Sequence, residues 1–185
     1  LHSFPTRCSS DLTDKNRKIS SRANAKIGYK VVVSGEHGNS AYGLKMLQNG
    51  EKALNKFTKS HLMPKAKMQF SKEISENITC DYAMMDTSDG LADALMQIAK
   101  ASGVKIKVET SKIPHDDLVD MSDVLYGGED YELVAAVPEK ILDKISDYTV
   151  IGEILEGDCG VEFDGEFYSD VDDKIFNHFK EKNEN

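Results

Sequence analysis

The sequence predicts an α+β fold in which helices pack on one mixed β-sheet. Three observations carry that expectation. Short β-branched or apolar runs, such as Lys30–Ser34 and Tyr131–Val137, alternate along the chain with segments of helical period. Some strands adjoin through tight turns such as Asp164-Gly165, which a doubly wound parallel sheet would not show. Finally, 185 residues with 39% apolar and 30% charged side chains suffice for a domain-sized core, without internal repeats or a low-complexity linker.

Taken in order, Lys-Val-Val-Val-Ser over 30–34 reads as a buried strand ending at Gly35. Gly35-Glu-His-Gly38-Asn-Ser40 reads as a turn, with Ser40 capping a helix that carries Leu44 and Leu47 on one face. A second helix is expected over Glu51–Thr58, and Pro64 closes the link that follows it. Lys67–Glu76 reads as a third, with Met68, Phe70 and Ile74 inward. The strand Tyr82–Met85 runs directly into Asp86-Thr-Ser-Asp89-Gly90. Leu91–Ser102 is the clearest helix, because Leu91, Leu95, Ile98 and Ala99 share a face and Gly103 can stop it.

Val104–Val108 alternates like a half-buried strand, and 114–125 reads as irregular to helical. Tyr131–Val137 is an apolar strand after Gly127-Gly128, and Pro138 opens a helix to Ile145. A strand over Tyr148–Ile154, a hairpin over Val161–Tyr168 and a closing helix over Asp172–Phe179 complete the pattern. The first twelve residues, Leu1 to Leu12, have neither period nor cap and lack the layout of a signal peptide. They resemble a translated sequencing adapter, so 1–12 is expected to be non-native, Cys8 included.

Composition narrows the function. A net charge of −9 argues against a nucleic-acid binder that neutralises phosphates, and no apolar run is long enough to span a membrane. The three cysteines show no CxxC spacing, which excludes a zinc ribbon and a disulfide framework and suits a reducing cytoplasm. On that reading Asn77-Ile78-Thr79 is an idle sequon. Neither GxxxxGK[ST] nor GxGxxG occurs, so a P-loop or Rossmann site has no support. Residues 1–79 carry 14 basic and 6 acidic residues, whereas 80–185 carry 9 and 26. Such an asymmetry fits two differently solvated surfaces, or a phosphate-friendly half beside a cation-gathering half.

Four stretches carry candidate chemistry. Asp86-Thr-Ser-Asp-Gly90 puts two carboxylates three residues apart at a strand end and helix start. There they suit Mg2+ shared with a substrate phosphate, although ordinary N-capping would use the same residue types. Gly127-Gly-Glu-Asp-Tyr-Glu132 places two acids just before a buried strand, either near a ligand or in a polar turn. Gly35–Gly43 reads as a phosphate wrap or a plain strand-to-helix turn, and the basic run Arg22–Gly28 as a solvated linker.

Together these pieces resemble the thiamine-phosphate kinase family, part of the superfamily of aminoimidazole ribonucleotide synthetase and selenophosphate synthetase. The resemblance rests on Arg22…Ala25-Lys26…Gly28, Val33-Ser-Gly35…Gly38-x-Ser40…Gly43-Leu44, His61-Leu-x-Pro64, Asp86-x-Ser-Asp-Gly-Leu91 and Gly127-Gly-Glu-Asp-Tyr-Glu-Leu133. It covers about 13–180, and it departs at Met63, where a basic residue is common, and at Tyr29, where Asp is frequent.

The resemblance implies the C-terminal domain of the family over 30–185, with 13–29 as a linker remnant from an N-terminal domain that is missing here. By it, Asp86 and Asp89 would ligate Mg2+, Arg22 and Ser88 would contact ATP, and Glu129 and Phe176 would hold thiamine phosphate. The implied reaction makes thiamine diphosphate and ADP. It needs no catalytic base, since the attacking phosphate oxygen is already ionised. The fragment alone is expected to be inactive, and a homodimer is expected only of the full-length protein. Two other classes stay open: a non-catalytic acidic module binding metal or a partner, and a sister ATP-dependent synthetase.

Overall fold

Alternation along the strands decides the layering. In β1 (Lys30–Ser34), Val31 and Val33 bury on one face and Val32 on the other; in β4 (Leu133–Val137), Val134 and Ala136 oppose Ala135 and Val137. A sheet that is apolar on both faces needs cover on both. The computed structural model, which describes residues 17–170, supplies it. The helix α4 (Leu91–Ser102) seals one face with Leu91, Leu95, Ile98 and Ala99. On the opposite face lie Phe70 and Ile74 of α3 (Met68–Asn77), with Ile141 from a 3-10 segment at Glu139–Lys144.

The remaining α-helices and strands among the described residues are α1 (Asn39–Gln48), α2 (Lys56–Leu62), β2 (Ala83–Asp86), β3 (Lys105–Val108), α5 (Met121–Tyr126), β5 (Tyr148–Leu155), β6 (Gly160–Phe163) and β7 (Glu166–Tyr168). The seven strands form one sheet in the order β2-β4-β1-β5-β3-β6-β7. Only β3–β6 is parallel, so the sheet is mixed and the fold α+β, as the sequence predicts. The β6–β7 turn has positive φ at both Asp164 (49°) and Gly165 (93°), the two-residue hairpin pattern that matches strand twist.

Several expectations need correction. The inner face of α1 is Asn39, Ser40 and Gly43, while Leu44 is 38% exposed. Gly43 decides this: its missing side chain lets the α2 backbone come so close that a Cβ there would overlap the Phe57 carbonyl. The second helix starts at Lys56, not Glu51, because Asn55 caps it and Thr58 returns the bond to the Asn55 N–H. Met68, expected inward, is 74% exposed at the first position of α3. After Pro138 the chain makes 3-10 turns and no α-helix. The expected helix over Asp172–Phe179 and the segment 1–12 lie outside the described residues. Within 17–29 the chain is tied to the domain: Ser21 N–H donates to Tyr82 O, Gly28 N–H donates to Ile154 O, and Ala25 is buried.

Two predictions follow from this packing. Gly43→Ala should lower stability by about 1–3 kcal/mol through overpacking, read as a shift in urea midpoint; an unchanged midpoint would contradict the contact. His37 is 1% exposed, and neither ring nitrogen has a hydrogen-bond partner. Burial first, then the charge of Lys67, pushes its pKa down to about 4. Because the folded value lies below the unfolded one, the neutral ring supports folding above about pH 6.5, and that support is lost as pH falls towards 4. His37→Leu should therefore flatten the loss of stability between these pH values relative to the parent chain, and parallel pH profiles for the two would refute it.

Candidate active site

The register brings one set of strand ends to one edge of the sheet. Asp86, at the end of β2, pairs with Leu133 at the start of β4, and Ser34, at the end of β1, pairs with Tyr148 at the start of β5. Three loops therefore meet there: 35–38, 86–90 and 127–132.

In the 86–90 loop, Thr87 is buried and its N–H donates to Glu132 O at 2.9 Å. Gly90 N–H donates back to Thr87 O at 3.1 Å, and the carbonyl of Ser88 accepts from Glu129 N–H at 2.7 Å. Gly128 permits that approach, since a Cβ on it would lie 2.6 Å from Ser88 O. Asp86 and Asp89 are left exposed. Gly90 occupies the N-cap of α4 with φ 104°, and no side chain caps the helix. The capping alternative for these carboxylates is thus not what the structure shows. Instead, two exposed carboxylates and the Ser88 backbone stand beside a helix start whose first N–H groups have no side-chain cap.

Glu129 and Tyr131 both have positive φ, 67° and 53°. This region is uncommon for residues with a side chain, and it persists only where the surroundings over-determine it. It also explains why β4 starts at Leu133 and not at Tyr131 as predicted. Glu129 is exposed, and its carboxylate accepts from the Tyr131 hydroxyl at 2.9 Å. That bond first, then the Glu129 charge and more weakly those of Asp86 and Asp89, raise the Tyr131 pKa. Tyr131 therefore stands among three carboxylates. Sequence reading assigned it to a strand and missed this role; the only available signal was its place between two acids.

Asp130 turns the other way. Its buried carboxylate accepts from Gly38 N–H at 2.5 Å and Ser40 N–H at 2.8 Å. The start of α1 is thus capped by a residue 90 positions away, not by Ser40, and the Asp130 carboxylate takes the N–H groups that the phosphate-wrap reading of the Gly35–Gly43 turn would offer to a ligand. Burial raises the Asp130 pKa to about 6 against the two N–H bonds, and the charges of Glu132 and Asp123 add to it. Glu132, also buried, accepts from Ser34 Oγ at 2.6 Å and pairs with Lys67 Nζ at 2.7 Å. Burial raises its pKa too, opposed by Lys67 and Ser34.

Not all of the residues expected at the site come together. Arg22 lies in a 3-10 turn at Arg22–Asn24, and its carbonyl accepts from Ser102 Oγ at the far end of α4. Ser88 precedes the near end, about 18 Å away along a twelve-residue helix. Phe176 lies outside the described residues. Among those residues no group of three or more His, Cys, Asp or Glu could form a metal cage. The donor set of Asp86 and Asp89 fits a divalent ion that takes one or two carboxylates and completes its shell with phosphate and water oxygens.

Comparison with known proteins identifies the family. Residues 26–164 match the family model described as AIR synthase related protein, C-terminal domain. The thiamine-monophosphate kinase of Aquifex aeolicus is 32% identical over 182 residues, covering 91% of this chain and 57% of that protein. That of Pyrococcus horikoshii is 36% identical over 146 residues, covering 74% and 46%. The chain therefore spans about half the length of the curated relatives it matches. A solved structure described as AaThiL complexed with AMPPCP and TMP aligns with a TM-score of 0.73 at 30% identity, over 83% of this chain and 53% of that one. Escherichia coli HypE, at 19% identity and a TM-score of 0.60, shares the fold alone. With three quarters of its length in the match, the chain belongs to the AIR synthase related family, as its C-terminal domain, and within that family it is similar to thiamine-monophosphate kinases.

Proposed function

We propose that this chain is the C-terminal part of a Mg2+-dependent cytoplasmic kinase that transfers the γ-phosphate of ATP to thiamine phosphate, giving thiamine diphosphate. The observation that carries the reading is the convergence of Asp86, Ser88 and Asp89 at the uncapped start of α4, with Glu129 and Tyr131 beside them in constrained backbone. Its similarity to thiamine-monophosphate kinases supports the substrate class.

The obstacle in such a reaction is bringing two polyanions together, since the acceptor oxygen is already charged. Mg2+, held by Asp86 and Asp89 with phosphate oxygens, would neutralise that charge. The chain's own part is positional. Free N–H groups at the start of α4 and the Ser88 hydroxyl face a polyphosphate. Glu129, with its carboxylate fixed by Tyr131, complements the cationic thiamine, and Phe176 would cover its rings by cation–π attraction. Arg22 is assigned to ATP by the motif resemblance alone.

The test is an NMR titration of the 15N-labelled chain with AMPPCP, a non-hydrolysable ATP analogue, and Mg2+. Amide shifts should appear at 86–93 only with the metal present. Asp86→Asn should weaken binding about tenfold or more and leave the melting temperature within about 2 °C, because the carboxylate is exposed. Mg2+-independent shifts, or an unaltered affinity in the variant, would refute the assignment. In the same assay Glu129→Gln should weaken thiamine phosphate and spare AMPPCP; the reverse pattern would overturn its substrate role.

A further inference from the structure

Position 131 is an unfavourable place for a tyrosine. Its backbone lies at φ 53°, a conformation that residues with a side chain adopt only under constraint. The ring is 37% exposed and belongs to neither of the apolar clusters on the two faces of the sheet. Packing therefore does not account for an aromatic side chain there. Its hydroxyl instead donates to Glu129 Oε2 at 2.9 Å. Glu129 is itself at φ 67°, with its N–H committed to Ser88 O, so the pair sits in one constrained stretch of backbone beside the 86–90 loop.

The surroundings give that bond a consequence. The Tyr131 phenol lies in the field of Glu129 and, more weakly, of Asp86 and Asp89, so three exposed carboxylates share this corner of the site. Hard divalent cations add carboxylates to their shell and bind more tightly as the ligand charge grows. Yet among the described residues no three acidic, His or Cys side chains are disposed to hold an ion together. Asp86 and Asp89 can serve an ion that shares a phosphate, whereas the Glu129 carboxylate is held by Tyr131. A glutamate side chain is long and freely rotating, and a hydrogen bond at its tip removes most of that reach.

We propose that Tyr131 is a positioning residue that keeps the Glu129 carboxylate out of the metal shell of Asp86 and Asp89, and so reserves it for the organic cation of the substrate. The inference rests on the metal and substrate roles proposed above, and it supplies the reason why neighbouring carboxylates keep different partners. A tyrosine suits the task because its hydroxyl is an uncharged donor. It fixes the carboxylate without cancelling its charge, as a lysine at the same place would.

Mn2+ is the probe in place of Mg2+, because it broadens the amide signals of nearby residues in spectra of the 15N-labelled chain. In the parent, broadening should centre on 86–90, and Asp86→Asn should weaken Mn2+ about tenfold or more. Glu129→Gln should leave Mn2+ affinity at the parent value. Tyr131→Phe keeps the ring and the constrained backbone and removes only the hydroxyl. It should bind Mn2+ about threefold or more tighter than the parent, and bind thiamine phosphate, titrated with EDTA present, about threefold or more weaker. A merely structural role would weaken both. Adding Glu129→Gln to Tyr131→Phe should abolish the gain in Mn2+ affinity. Weaker Mn2+ binding in Glu129→Gln, no gain in Tyr131→Phe, or a gain that survives the added Glu129→Gln would each overturn the inference while leaving the Asp86–Asp89 site in place. Unchanged thiamine phosphate affinity in Tyr131→Phe would overturn the reservation for substrate. Parent Mn2+ binding that ignores Asp86→Asn would overturn the metal site and the inference with it.

Discussion

One buried carboxylate holds the loops of this site in register. Asp130 accepts the Gly38 and Ser40 N–H groups and so binds the 127–132 loop to the start of α1. Its neighbours on either side, Glu129 and Tyr131, have positive φ, a conformation that side-chain-bearing residues keep only under constraint. The Glu129 N–H in turn binds Ser88 O and fixes the 86–90 loop. Three strand ends, of β1, β2 and β4, are thereby tied together. The contact is made against a gradient: burial outweighs two N–H bonds and raises the carboxyl pKa to about 6. Its folded pKa exceeds the unfolded one, so its ionised form weighs against stability above about pH 6 and the penalty eases as pH falls towards 4. That sign is opposite to the one for His37, which lies one residue from Gly38 in the same turn.

The uneven charge of the sequence acquires a spatial meaning in this frame. The exposed acids Asp86, Asp89 and Glu129 come from the acidic stretch 80–185 and gather beside the start of α4. Lys56, Lys59, Lys65 and Lys67 come from the basic stretch 1–79 and line a cavity next to α2, together with Glu36, Asp130 and Glu132. Glu132 is where the two meet, since it immediately precedes the strand that pairs with β2 and its carboxylate pairs with Lys67.

What the sequence made legible was local. β1 and α4 begin and end at the predicted residues, because in Lys30–Ser34 and Leu91–Ser102 the local pattern and the tertiary burial agree. Gly103, at φ 65°, stops α4 in the left-handed conformation expected of it. The motifs at 86–91 and 127–133 were found, and their contact through Glu129 N–H and Ser88 O joins them. What was not legible came from afar. A cap supplied from 90 residues away cannot be read from the Gly35–Ser40 turn, and the burial of Gly43 depends on how closely α2 approaches. The outward turn of Leu44 follows from the same approach. The distance of Arg22 from Ser88 is likewise a property of α4's length between them, and no motif spacing states it.

Amide hydrogen exchange in Asp130→Ala compared with the parent chain tests most directly whether this single side chain couples the loops. If it does, exchange at Gly38, Ser40 and Glu129 rises together, by about tenfold or more, while the β1 and α4 interiors stay protected. If Gly38 and Ser40 open while Glu129 keeps its parent protection, the loops are held independently and Asp130 is only a helix cap.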